Sequence, residues 1–79
     1  MPTVLFLHGY RFFFFSNDKN EPIHIHIERD NSVAKFWIDP YVHLAKSGGF
    51  NSVELNKIHK LVAENSELFK SKWNEYFNR

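Results

Sequence analysis

The sequence predicts an α+β fold: a small antiparallel sheet of about four N-terminal strands, followed by about three helices packed on one face. Three observations predict it. Residues 23–28, Ile-His-Ile-His-Ile-Glu, alternate strictly between apolar and polar side chains, which is the period of a strand with one buried face. Residues 10–16 are dense in aromatic strand formers. Beyond residue 50 the apolar positions fall at helical spacing instead. One domain over residues 1–79 accommodates this order, strand-rich to residue 38 and helical from residue 39.

Residues 3–7, Thr-Val-Leu-Phe-Leu, are the first predicted strand, and His8-Gly9 breaks it. The second runs over residues 10–16, with Tyr10, Phe12 and Phe14 on one face and Arg11, Phe13 and Phe15 on the other. A strand apolar on both faces is usually covered on both. Residues 16–22 carry turn chemistry and end in Glu21-Pro22, an X-Pro bond of the kind that is usually trans. Residues 23–28 and 33–38 are the third and fourth strands, joined by Arg29-Asp30-Asn31-Ser32. Matching their apolar faces sets the register: Ile27 opposite Ala34, Ile25 opposite Phe36, and Ile23 opposite Ile38. The other face then places His26 by Lys35, His24 by Trp37, and Glu28 by Val33.

Asp39-Pro40 has the form of an N-cap followed by a first-turn proline, so residues 40–46 are predicted as a short helix closed by Gly48-Gly49. Asn51, with Glu54 three residues on, caps the next helix, whose stripe is Leu55, Ile58, Leu61 and Val62. Asn65-Ser66 interrupts. Ser66 caps a last helix with Phe69, Trp73, Tyr76 and Phe77 as its stripe.

Composition narrows the function. The chain has no cysteine, which excludes disulfides and thiolate metal sites. No apolar run is long enough to span a bilayer, and no basic segment followed by an apolar one marks a secretory signal. A cytoplasmic setting without membrane is expected. Ten Lys and Arg against nine Asp and Glu leave a net charge of +1, too little for nucleic-acid binding through bulk charge. The last helix carries aromatic anchors and is not basic, which argues against DNA reading. A local RNA site remains open.

The chemistry-bearing residues gather around the alternating strand. His24 and His26 share a face about 6.5–7 Å apart along the strand. As an acid/base pair they suit metal-independent RNA cleavage, one imidazole accepting a proton and the other donating one. Arg11 or Lys35 would hold the phosphate, and Trp37 would stack on a base. Asp18 and Glu21, in the loop entering the strand, would orient the imidazoles. The same two histidines with Glu28 form an alternative ligand set for a divalent transition metal such as zinc, whereas the acid/base reading needs no cofactor. His8, His43 and His59 are isolated in sequence.

The segments Gly9-Tyr10-Arg11-Phe12-Phe13-Phe14, Ser16-Asn17-Asp18, Glu21-Pro22-Ile23-His24-Ile25-His26 and Ala34-Lys35-Phe36-Trp37, with Trp73 near the end, resemble a large family of small bacterial proteins. That family's domain carries no assigned function. Arg11, Asn17, Asp18, Glu21, Pro22, His24, His26, Lys35 and Trp37 match its pattern. Phe15 departs from it, because Tyr is frequent there. Members commonly lie beside a second small reading frame. The resemblance therefore implies one half of a two-gene module of toxin–antitoxin type, with a cognate small protein as partner. Three readings stand: an RNA-directed toxin-like protein, a non-catalytic protein that docks its partner through the aromatic strand, and a small metal-binding domain.

Overall fold

The computed structural model describes residues 3–77. Five strands form one antiparallel meander, β1 Thr3–Leu7, β2 Tyr10–Phe13, β3 His24–Arg29, β4 Ser32–Trp37 and β5 His43–Gly48, in the spatial order of the chain. Two helices follow, α1 Ser52–Glu64 and α2 Ser66–Phe77. The class is α+β, as predicted.

Local chemistry accounts for most junctions. His8 and Gly9 both take positive φ, 52° and 83°, which is the twist a two-residue hairpin between β1 and β2 requires. Asp30, at φ 55°, turns β3 into β4, a conformation that Asp tolerates better than most residues. The β3–β4 register is the predicted one throughout: His24 faces Trp37, Ile25 Phe36, His26 Lys35, Ile27 Ala34 and Glu28 Val33. The predicted pairing of Ile23 with Ile38 continues beyond the strands as a backbone bond of 2.9 Å. Asn51 caps α1 by accepting the Glu54 N–H at 2.8 Å. The Glu54 side chain does not return to the cap. It pairs with Arg29 and accepts the Tyr10 hydroxyl at 3.1 Å, tying α1 to the sheet. Asn65 alone separates the helices; its side chain donates to the Leu61 carbonyl, and its own carbonyl accepts the Phe69 N–H. The joint is thus at Asn65 rather than at a Ser66 cap.

The core lies between the sheet and the helices. Tyr10, Phe12, Phe14, Ile25, Ile27, Phe36 and Ile38 meet Ile58, Val62, Phe69 and Trp73 there. Phe69 stacks on Phe12 at 5.4 Å, and Trp73 meets Phe14 edge-on at 5.3 Å. β2 is covered on both faces. Phe13, on the outer one, lies beneath the Arg11 guanidinium at 4.3 Å and beside Phe15.

One element differs from the sequence expectation. The stretch predicted as a helix over residues 40–46 instead bends after a cis Asp39–Pro40 peptide and forms β5, so the changeover from strands to helices falls near residue 50. The reason is non-local. β4 needs a partner on its second edge, and a seven-residue helix forms too few internal bonds to compete. Gly49, read as a helix cap, ends β5 with φ 98°, and a Cβ there would lie 3.0 Å from the Ser32 Cα. Gly49→Ala is therefore expected to destabilise the fold by about 1–3 kcal/mol, measured by urea unfolding.

Candidate functional site

The face of the sheet away from the helices carries its polar residues in rows across the strands. Phe13, His26, Lys35 and Lys46 form one row by direct register. Arg11, Glu28, Val33 and Gly48 form the row beside it, and His24, Trp37 and His43 the row on the other side. A bulge at Ala45 makes this possible: Lys35 faces Lys46 while the next residue, Phe36, faces Leu44. The bulge returns Lys46 to the outer face. A cleft of about 410 Å³ opens there, with Phe13, Phe15, His26, Lys35, Lys46, Ser47 and Gly48 in its walls.

The loop between β2 and β3 borders the cleft through Phe15. Asp18 starts a single 3-10 turn, Asp18–Asn20, and its polar side chain is buried. Its Oδ2 accepts the Phe15 N–H at 2.9 Å, which folds the side chain back against the sheet. The same oxygen lies 3.0 Å from His26 Nε2 and 3.1 Å from His24 Nε2. The three side chains thus form one cluster.

The two histidines differ in setting. His24 is fully buried, with Trp37, Trp73 and the His26 ring around it at 5.4, 5.1 and 5.0 Å. Its Nδ1 lies 2.8 Å from the Pro22 carbonyl oxygen, which can only accept, so Nδ1 carries a proton. Its Nε2 approaches Asp18 at ion-pair distance but without hydrogen-bond geometry, and it is buried with no hydrogen-bond partner. His26 retains 14% side-chain exposure and lines the cleft between Phe13, stacked at 5.5 Å, and Phe15, edge-on at 4.5 Å. Its Nε2–H donates to Asp18, leaving Nδ1 with the lone pair.

Burial lowers the His26 pKa below its ordinary 6.5, outweighing the upward pull of Asp18. The sign for stability follows. The unfolded chain takes up the proton first as the pH falls through 6.5, so the contribution of His26 is fully present above that value and is lost as the pH falls towards its lowered folded value. Melting temperatures of chelator-treated protein should drop across this interval, and a His26→Gln variant should show a flatter profile.

The other predicted residues divide. Lys35 flanks His26 but is paired with Glu21 at 2.7 Å and lies over the Trp37 ring at 4.4 Å. The Lys35 hydrogen bond holds the Glu21 pKa below its ordinary 4.5. Trp37 is occupied between that ammonium and His24. Arg11 pairs with Glu28 at 2.7 Å and bonds Thr3 Oγ1 at 2.8 Å, one row from His26. Glu28, offered from the sequence as a third metal ligand, is thereby engaged, and Asp18 stands beside the imidazoles in its place. His8, His43 and His59 lie outside the cluster. In the aromatic strand read as a docking surface Tyr10, Phe12, Phe13 and Phe14 are buried, and Phe15 alone of its rings is exposed. No helix among the described residues is long and apolar enough to cross a membrane.

Sequence reasoning missed Lys46, Ser47 and Gly48. The sequence reading ends a helix at Lys46 and caps it at Gly48-Gly49, and the local sign against that helix is the brevity of the segment between Pro40 and Gly48.

No curated protein and no solved structure matches the chain. A family of small domains does match, over residues 9–74, a span that includes the cluster, the cleft, α1 and most of α2. The chain belongs to this family, DUF4160, a domain of unknown function.

Proposed function

We propose that this chain is an RNA-directed protein that takes a phosphodiester of single-stranded RNA into the outer-face cleft. The observation that carries the reading is the row Phe13, His26, Lys35 and Lys46, which sets a hydrophobic ring, an imidazole and two ammonium groups side by side across four strands. Lys46 makes no ion pair among the described residues, so its charge is available to a phosphate. Lys35 adds a second ammonium that an incoming phosphate would share with Glu21. Phe15, exposed at the rim, offers a face on which a base stacks. A cleft of about 410 Å³ is of the size that takes small ligands, enough for one nucleotide unit.

His26 is the reactive group in this reading. Its lowered pKa keeps the ring neutral near pH 7, with a lone pair to offer to a proton or to a cation. His24 supports it from behind, because a fully buried ring bonded to Pro22 does not face a substrate. The acid/base partnership read from the sequence thus becomes one group at the cleft and one behind it. The setting within a two-gene module, with a small cognate protein as partner, rests on the family resemblance of the sequence.

The test uses a short unstructured RNA and the DNA of the same sequence. Wild-type protein is expected to bind the RNA and, on long incubation, to cleave it, and His26→Gln to bind but not to cleave. Binding to neither, or equal binding to the RNA and the DNA, would refute the reading. In cells, expression alone should arrest growth, and co-expression of the neighbouring gene should relieve the arrest.

A further inference from the structure

We infer that Asp18, His24 and His26 form a binding site for one divalent transition-metal ion beside the cleft. The inference deepens the RNA-directed reading, because it names what would act on the phosphate there. Its foundation is independent of RNA. The Nδ1–H of His24 is committed to the Pro22 carbonyl, which leaves Nε2 as the ring atom open to a ligand. That nitrogen, buried and without a hydrogen-bond partner, lies 3.1 Å from an Asp18 carboxylate oxygen. An unprotonated Nε2 and a carboxylate oxygen at that distance repel unless a cation lies between or beside them.

The donor chemistry selects the cation. Two imidazoles and one carboxylate suit zinc and its first-row neighbours, while magnesium and calcium prefer oxygen alone. Three donors about 2.0–2.2 Å from one ion stand about 3–3.5 Å apart. Asp18 Oδ2 lies 3.0 and 3.1 Å from the two Nε2 atoms, and all three donor atoms fall within 4.8 Å of one another. Small side-chain rotations bring them onto one ion. On metal binding the His26 proton would shift from Nε2 to Nδ1 and the Nε2 lone pair would go to the ion, so His26 would then serve as a ligand and not as a free base at the cleft. The Pro22 carbonyl fixes the His24 tautomer from the second shell, and the Phe15 N–H orients the carboxylate. Three protein ligands would leave a coordination position for water or a phosphate oxygen, and of the three residues His26 lines the cleft.

The experiment titrates chelator-treated full-length protein with Zn²⁺, and separately with Co²⁺ to read the ligand field. About one ion per chain is expected, with binding weakened on the order of 100-fold in Asp18→Asn and in His26→Gln. His43→Ala, outside the cluster, should bind as the wild type does. His24→Gln probes the third ligand. Because His24 is buried, circular dichroism decides whether that variant folds, and Asp18→Asn and His26→Gln carry the test if it does not. The inference is overturned by less than about one-tenth of an ion per chain, or by unchanged affinity in both Asp18→Asn and His26→Gln. It is also overturned if nitrogen NMR shows His24 protonated at both ring nitrogens after Zn²⁺ is added, since an imidazolium would satisfy Asp18 without metal. Metal binding without RNA binding would remove the RNA reading and leave this site standing; RNA binding without metal would do the reverse.

Discussion

Replacing Lys46 by Glu is expected to weaken binding of a short single-stranded RNA by on the order of tenfold or more at about 0.1 M salt. Lys46 is the cation of the cleft that makes no ion pair among the described residues, so reversing its charge acts on the ligand without breaking a bridge in the free protein. The substituted Glu would face Lys35 across β4 and β5, and that new pair would also neutralise the second phosphate contact. The salt dependence is diagnostic. Each lost phosphate contact lowers the slope of log affinity against log salt by about one, so the variant's slope should be shallower as well as its binding weaker. Fluorescence anisotropy across a salt series measures both. Lys70→Glu, on α2 and away from the cleft, is the control; an equal loss there would mean that bulk charge, rather than the cleft, governs binding.

Phe69→Ala should have the largest effect on stability. Phe69 is fully buried on α2 and stacks on Phe12 of β2, so truncation opens a cavity where the helix layer meets the sheet. Removing a buried Phe costs about 3–5 kcal/mol. A chain of 79 residues has a total stability of about 4–12 kcal/mol. The variant should therefore be partly or largely unfolded near physiological temperature, as measured by circular dichroism with urea titration. A loss below about 1 kcal/mol would show that α2 is not integral to the core.

Much of this fold is legible in the sequence because its determinants are local or follow from matching two apolar faces. The alternation from Ile23 to Glu28 places His24 and His26 on the outer face, and the Ile25–Phe36 and Ile27–Ala34 pairs admit only one register. Asn51 shows itself as a cap by its spacing to Glu54. β5 is different. Asp39-Pro40 is good helix-start chemistry, but the segment's fate depends on the open edge of β4, which no local pattern reports. Missing β5 also hid Lys46, whose side-chain direction depends on a bulge at Ala45. The third member of the histidine cluster is hidden from the sequence for a similar reason. Glu28 shares the strand face of the histidines, yet it lies opposite Arg11 and pairs with it, a contact set by the β2–β3 register. Asp18 reaches the imidazoles from a loop, by bonding the Phe15 N–H, and its position along the chain does not reveal that distance.

The central claim is that the outer face of the sheet, around the row Phe13, His26, Lys35 and Lys46, is the functional surface. Amide and side-chain NMR of the full-length chain, titrated with a short single-stranded RNA, tests it most directly. The account predicts saturable shifts at Phe15, His26, Lys35, Lys46 and Ser47, with the exposed faces of α1 and α2 unmoved. Shifts confined to the helices or to β1, or none at all with RNA in excess, would contradict it.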